Sequence, residues 1–551
     1  MLIIFWVIIV SKASYSKAFA TRSVICFFIV LSLLLFSVAR VAVISLENYS
    51  AVAAEQSKFR INISRVRGTI YDCNMVPLTN NFTKRVAAVL PNPRGILALN
   101  FCAEKENFEK SLNTLKLNKP TVCDVNNEIN SDGIAFTTVY EQDKNSKLLA
   151  CHLIGYTDSS GHGVSGLQKA YDDFLYSDKY VSAVFTTGGT GKFLDGINPY
   201  FENDIADVKN GVVTTIDINI QNAVETIIEQ INSGCVIVSE VGNAKIRAMA
   251  SVPTFDINNL EESLKKEDSP MINRAILPYN VGSVFKPCVA AASIENQKDN
   301  LTFVCEGRLE IAKRMFRCHN LSGHGNMNLC DAIAQSCNCY FYNLSARIGG
   351  EGIYKMASSL SIGAKIKIAE NLYTSNGIIP SINDLKNEGE LANISIGQGT
   401  ILASPVSMVN LYQAIATDGC YYMPSVVEKT IKDGTENHYA CGEKTRAMSE
   451  KTSKKLKEYL KTVITDGTGN EAQPTLVNAA GKTATAQTGR YYEDKTEITN
   501  SWFCGFFPAD DPRYVIVVMS DSRADTSTAS IFAQIADKIC ELKQINVQNN
   551  D

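Results

Sequence analysis

Three short groupings in this chain bring hydroxyl, amine and carboxamide groups together at spacings suited to acyl transfer. The first is Ser283-Val284-Phe285-Lys286, which opens the apolar run PCVAAASI. If a helix starts near Gly282, positions 283 and 286 share one face about a turn apart. A lysine held there in a partly dry pocket loses its proton and activates the serine hydroxyl. The spacing alone says little, since Ser14/Lys17 and Ser263/Lys266 repeat it, the second inside the charged run EESLKKED. Only Ser283 has both a preceding glycine and a following apolar helix. The second grouping, Ser336-Cys337-Asn338, lies in DAIAQSCNCYFYNLSARIG, and the same Ser-x-Asn spacing recurs at Ser111/Asn113 and Ser381/Asn383. The third, Lys482-Thr483-Ala484-Thr485, sits in the small-residue run NAAGKTATAQTG. A strand of small side chains lets a ligand backbone approach closely, and its lysine and hydroxyls suit an anionic group. Taken singly, these groupings also read as a helix cap with a surface lysine, a polar loop and a bland strand.

The elements that must position these groups are legible in part. VVTTIDINIQNAVETIIEQI starts as a strand and becomes an amphipathic helix; GCVIVSE-VGN-AKIRAMAS reads as a hairpin turning at Gly242-Asn243. SWFCGFFPADDPRYVIVVMS is a second hairpin, its turn marked by Pro508 and Pro512. The last periodic run puts Ile531, Ile535, Ile539 and Leu542 on one helical face. Strands far apart in sequence, with helices between them, imply a mixed α/β (α+β) body whose sheet gathers distant pieces.

Ahead of that body, Ser23 to Ile44 reads SVICFFIVLSLLLFSVARVAVI, about 33 Å as a helix and long enough for one membrane crossing. Its only charge, Arg40, lies near one end and can snorkel outward. The length of the run and the lack of a clean small-residue cleavage site argue against a cleaved signal peptide. The leading LIIFWVIIV is too short to span. The expected layout is a cytoplasmic tail over 1–22, a transmembrane helix over 23–44, a membrane-proximal domain over 45–205 and a catalytic domain over 206–546. A charged, glycine-containing stretch near 201–211 marks the boundary between the last two.

With 53 basic and 57 acidic residues, the net charge of -4 gives no general reason to bind nucleic acid. Five histidines spread over 551 residues argue against a multi-histidine metal site, and neither metal nor cofactor is expected.

The three groupings occur in the order SxxK, SxN, KT-small, with gaps of about fifty and about one hundred and fifty residues. In this the chain resembles penicillin-binding transpeptidases and serine β-lactamases, and most closely class B penicillin-binding proteins, the monofunctional, membrane-anchored D,D-transpeptidases. RGTIYDCNMVPL, HLIGYTDSSGHGVSGLQKAYDDFL, ASVPTFDINN, NRAILPYNVGSVFKP, ISIGQGTILASPVSMVNLYQAIATDG, AAGKTATAQTG and SWFCGFFPADDPRYVIVV carry the resemblance over almost all of the chain after residue 20. It implies that Ser283 attacks the carbonyl between the terminal D-alanines of a peptidoglycan stem peptide, with Lys286 as general base, kept neutral partly by Lys482. It implies that Ser336 relays a proton to the leaving amine and that Asn338 orients Lys286 and the substrate amide. Lys482, Thr483 and Thr485 would hold the terminal carboxylate, with Ala484 beside them, and the backbone N–H groups of Ser283 and Thr485 would form the oxyanion hole. β-Lactams, which resemble D-Ala-D-Ala, would acylate Ser283.

Three departures from the family pattern stand out. Ala484 replaces the usual glycine, and its methyl is expected to narrow access to the groove. Val281 replaces the usual proline, and Gln168 stands where glutamate is usual. The sixteen cysteines include Cys26 in the membrane segment; the odd remainder leaves at least one free or intermolecular thiol. Cys288 reads as a small apolar residue inside its helix. The family resemblance puts FRCHNLSGHG beside the active site, making Cys318 and Cys337 a possible redox pair that would lock the cleft, with Cys305–Cys318 as the competing pairing. A gate of this kind is known in the sporulation-specific branch of the family. Implied partners are stem peptides, β-lactams, the membrane and a polytopic glycosyltransferase, since no glycosyltransferase-sized region is present. The catalytic body is expected outside the cell membrane. The rival readings are a β-lactamase or D,D-carboxypeptidase, and a non-catalytic β-lactam sensor or scaffold.

Overall fold

The computed structural model describes residues 17–46, 49–141, 148–203, 210–440, 442–521 and 526–545. The LIIFWVIIV run and most of the expected 1–22 tail lie outside these residues, as does part of the expected boundary at 201–211. Helix α1 spans Lys17–Leu46, and within it Ala20–Ser45 is long and apolar enough to cross a membrane, with none of it buried.

The chain divides into two compact units, each built from separated stretches. The first takes in the segments up to Ile63, 85–138 and 181–202; the second takes in 64–84, 139–180 and 203 onward. The region 45–205, expected as one contiguous domain, is therefore shared between the two units.

The first unit is built around two three-stranded sheets. In one, Tyr180–Thr186 lies between Lys58–Arg65 and Tyr200–Glu202; in the other, Phe82–Val89 lies between Thr121–Asp124 and Ile134–Glu141. The helix Pro93–Cys102 starts where Asn92 Oδ1 accepts the Gly95 N–H at 2.7 Å, and Pro93 occupies its first turn at no hydrogen-bonding cost. It buries Ala98, Leu99 and Cys102 against Ala87, Val89 and Ile134.

The second unit centres on an antiparallel five-stranded sheet. Its strands are β1 (Gly234–Glu240), β2 (Ile246–Val252), β3 (Ala480–Tyr491), β4 (Glu497–Phe507) and β5 (Tyr514–Ser520), in the spatial order β2-β1-β5-β4-β3. Both expected hairpins form. Side chains alternate across the sheet. Val236, Val238, Phe503, Ile516 and Val518 face α2 (Ile218–Ile228) and a C-terminal helix over Thr528–Lys543. Cys235, Ile237, Cys504, Val515 and Val517 join the larger core on the other face. That core contains α3 (Lys286–Glu295), α4 (Leu329–Ala334), α5 (Asn338–Ile348) and α6 (Glu450–Thr465). In the C-terminal helix Ile531, Ile535 and Ile539 are buried, whereas Leu542, in the final turn, is 39% exposed. The mixed α/β architecture is the one expected.

Candidate active site

Ser283 sits on a tight turn. Gly282–Phe285 forms a 3-10 turn that runs directly into α3, so Ser283 and Lys286 are one turn apart. Gly282 has φ +60°, and a Cβ there would lie 3.1 Å from the Ala486 methyl and 3.3 Å from that of Ala484. Its N–H donates to the Gly397 carbonyl at 2.8 Å, and a Cβ on Gly397 would stand 2.0 Å from the Gly282 oxygen. Gly397 admits only glycine, and at Gly282 a side chain would be both crowded and strained. The Tyr412 hydroxyl donates to the Val284 carbonyl at 3.1 Å, tying the turn to the fully buried helix Pro405–Ala416.

Ser336 and Asn338 come from the junction of α4 and α5. A reciprocal capping box between Asn328 and Asp331 opens α4, and Cys337 caps α5. Between them Ser336 adopts φ 54°, a conformation that costs a non-glycine residue about 1–3 kcal/mol. The return is that one residue presents both its carbonyl and its hydroxyl to the same amine. Lys286 Nζ donates to Ser336 O at 2.6 Å, to Ser336 Oγ at 3.1 Å and to Asn338 Oδ1 at 2.8 Å. Ser336 Oγ donates in turn to Ser283 Oγ at 3.1 Å. A continuous hydrogen-bonded route between Ser283 Oγ and Lys286 Nζ therefore runs through Ser336 Oγ.

Lys286 is fully buried. Burial pushes its ammonium down to about 7, while the thiols of Cys337, Cys318 and Cys339 act in the opposite direction. The Phe341 ring centre lies 5.3 Å from Nζ. Lys482 is equally buried on the inward face of β3. Its Nζ donates to Thr483 O at 3.1 Å and reaches Thr468 Oγ1 and Thr483 Oγ1 at 3.4 Å. Burial, and then the charge of Lys286, hold Lys482 well below the ordinary lysine range. Burial is the main cause of the lowering at Lys286, and the repulsion between the two ammonium groups, which acts on both, is felt at Lys482.

Along β3, Thr485 is exposed and Thr483 half-buried on the outer face, while Ala484 alternates inward with Lys482 and Ala486. The Ala484 methyl faces Gly282, so the contact it makes is with the turn that carries Ser283. Thr468, which no sequence motif signals, lies 3.0 Å from the Thr483 hydroxyl. Of the other departures, Val281 is buried, and Gln168 Oε1 accepts from Arg67 Nε at 2.8 Å, with Asp172 balancing the arginine's charge.

Cys318 Sγ lies 4.0 Å from Cys337 Sγ, and the cysteines among the described residues are unbonded. Cys305 belongs to the same group, since its Sγ and that of Cys318 each lie 3.6 Å from His324 Nδ1. Cys288 is buried in α3.

The family described as penicillin binding protein transpeptidase domain matches residues 234–541, more than half of the chain. The chain belongs to this penicillin-binding transpeptidase family. Stage V sporulation protein D of Bacillus subtilis is 29% identical over 68% of this chain and 59% of its own length. Penicillin-binding protein PbpB of Mycolicibacterium smegmatis is 30% identical over 70% of this chain and 63% of its own length. The chain thus spans about three fifths of these two relatives. A crystal structure of penicillin-binding protein 3 from Mycobacterium tuberculosis, complexed with aztreonam, superposes with a TM-score of 0.64 at 23% identity, covering 89% of this chain and 98% of that one. That likeness establishes the penicillin-binding fold, and the resemblance to class B penicillin-binding proteins read from the motifs is borne out.

Proposed function

We propose that this chain is a membrane-anchored D,D-transpeptidase that cross-links peptidoglycan stem peptides and is acylated by β-lactams. The observation that carries the reading is the unbroken chain Ser283 Oγ–Ser336 Oγ–Lys286 Nζ, ending on a buried amine poised near neutrality. Neutral Lys286 takes the Ser283 proton through Ser336 as Oγ attacks the carbonyl between the two terminal D-alanines. The acyl group moves to Ser283, and Ser336 hands the proton to the departing amine. Backbone N–H groups of Ser283 and Thr485 bind the oxyanion, each worth roughly 3–4 kcal/mol. Lys482, Thr483 and Thr485 hold the terminal carboxylate, and Ala484 backs the turn that carries Ser283. An amine of a second stem peptide then takes the acyl group.

The catalytic body lies outside the cell membrane, with residues 1–22 on the cytoplasmic side and α1 as the single anchor. A polytopic glycosyltransferase in the same membrane supplies the glycan strands. Cys318 and Cys337 form a redox pair: closing their disulfide displaces the turn that carries Ser336 and Asn338 and switches acylation off.

The test is gel labelling of membranes with a fluorescent penicillin. Wild type labels and Ser283→Ala does not; labelling of both, or of neither, sinks the assignment. With the acyl-enzyme in hand, a D-amino acid acceptor distinguishes a cross-linked product from hydrolysis. If the redox pair operates, labelling of oxidised membranes rises when reductant is added.

A further inference from the structure

The turn that carries Ser283 rests on four side chains sharing the inner face of β3 and β4. In the antiparallel register of this pair, Ala484 stands opposite Trp502 and Ala486 opposite Asn500. Residues directly opposite one another, and residues two apart on one strand, point to the same side of a sheet. The four therefore form one patch, and all are buried. Its two small members meet the turn by contact: a Cβ on Gly282 would lie 3.3 Å from the Ala484 methyl and 3.1 Å from that of Ala486. Its two large members meet it by hydrogen bonds. Trp502 Nε1 donates to the Asn280 carbonyl at 2.9 Å, and Asn500 Nδ2 donates to the same oxygen at 3.4 Å. Among the described residues, no other hydrogen bond joins residues 280–285 to the sheet.

The surroundings of Asn500 set this contact apart from ordinary packing. Asn500 is 2% exposed, and its Oδ1 is buried without a partner among the described residues. A buried acceptor left unpaired lowers stability, and a leucine of similar size carries no such cost. What asparagine supplies and leucine does not is the N–H that reaches Asn280. The indole N–H is likewise the one polar group of Trp502, a fully buried side chain.

The consequence falls on the oxyanion hole and rests on the transpeptidase reading. The two N–H groups assigned to that hole belong to separate elements: Ser283 to the turn, and Thr485 to β3, the edge strand of the sheet. How the turn lies on the sheet sets their spacing, and both must stand roughly 2.7–3.1 Å from the developing oxyanion. We propose that Asn500 and Trp502 are positioning residues: by holding the Asn280 carbonyl they fix the Ser283 turn on β3 and keep the two oxyanion donors in register. Both act through that carbonyl, and neither belongs to the hydrogen-bonded route through Ser336.

The test compares two acyl donors on the purified full-length chain in detergent: an N-acyl-D-alanyl-D-lactate ester, and the thionoester that differs only by a sulfur at the attacked carbonyl. Sulfur accepts hydrogen bonds weakly, so the preference for oxygen reports on the oxyanion hole and does not depend on the fraction of protein that is folded. Asn500→Leu and Trp502→Phe should each lower the acylation rate with the oxygen ester about 10–100-fold. The thionoester rate should fall far less, so that the preference for oxygen shrinks at least about fivefold. The midpoint of the pH profile, set by Lys286, should stay in place. Thermal unfolding of Asn500→Leu should stay level or rise, because the unpaired Oδ1 is gone. If Trp502→Phe fails to fold, Asn500→Leu carries the test. An unchanged preference in Asn500→Leu, or a rate loss that is equal for the two donors and tracks a loss of thermal stability, overturns the assignment. Wild type that forms no acyl-enzyme with either donor or with penicillin removes the transpeptidase reading and this one with it. Wild type that is acylated, while the variants keep its preference for oxygen, removes the positioning role alone.

Discussion

Replacing Asn338 by aspartate probes the state of Lys286 directly. Asn338 Oδ1 accepts from Lys286 Nζ at 2.8 Å, and the amine is pushed down to about 7 by burial. Acylation needs the neutral amine, so the wild-type rate should rise with pH and level off above a midpoint near 7. Asn338→Asp puts a carboxylate at the same oxygen. At 2.8 Å and an effective dielectric of 20, the attraction for the ammonium is about 6 kcal/mol, or about four pK units. Burying the carboxylate offsets part of this. Half of the full effect still moves the midpoint up about two units and lowers the neutral fraction near pH 7.5 about 25-fold. The other ionisable groups around the amine, Lys482 and the thiols of Cys318, Cys337 and Cys339, are unchanged by the substitution. The assay is the second-order rate of Ser283 acylation by a fluorescent penicillin from pH 6 to 10, in wild type and Asn338→Asp. The variant should be slow at neutral pH and recover in alkali. A variant with an unmoved midpoint, or one that stays slow at every pH, would show that Asn338 does not sense the lysine's charge and that the neutral-amine mechanism is wrong.

Three further outcomes follow from the geometry. Ser336→Gly removes the relay hydroxyl but relieves the φ of 54°; acylation should fall about 10²–10⁴-fold while the thermal unfolding temperature in detergent stays level or rises. A matching loss of stability would mean that the hydroxyl is structural. Gly282→Ala forces a Cβ to within 3.3 Å of the Ala484 methyl at φ +60°, costing about 1–3 kcal/mol; adding Ala484→Gly should recover the part due to that neighbour and not the backbone part, as read by thermal unfolding. Arg274 donates to Asp521 Oδ2 at 3.1 Å with 6% of its side chain exposed, so Arg274→Met should cost about 3–5 kcal/mol, with partial recovery on adding Asp521→Asn. Equal stability of Arg274→Met and wild type would show that the pair adds nothing.

The groups proposed for chemistry were legible because each motif is local. Ser283 and Lys286 need only one helical turn between them, and Ser336 and Asn338 flank one helix start, so sequence spacing nearly determines their relative placement. The hairpins 234–252 and 501–520 were legible for the same reason, with alternation on both arms and turn residues between. What escaped the sequence is set by contacts between distant segments. Gly397 matters only because its Cα comes against Gly282, and Thr468 only because its loop passes beside β3. Segments 64–84 and 139–180 read as part of the membrane-proximal region, yet they pack with the second unit. The same limit explains Cys305 and His324. In C-x12-C-x5-H-x12-C the spacings are too long for any one turn to hold the side chains together, so the sequence leaves the pairings of Cys305, Cys318 and Cys337 open and gives no place to His324. Once the strands over 303–327 fold back, the four side chains meet behind the turn that feeds Lys286.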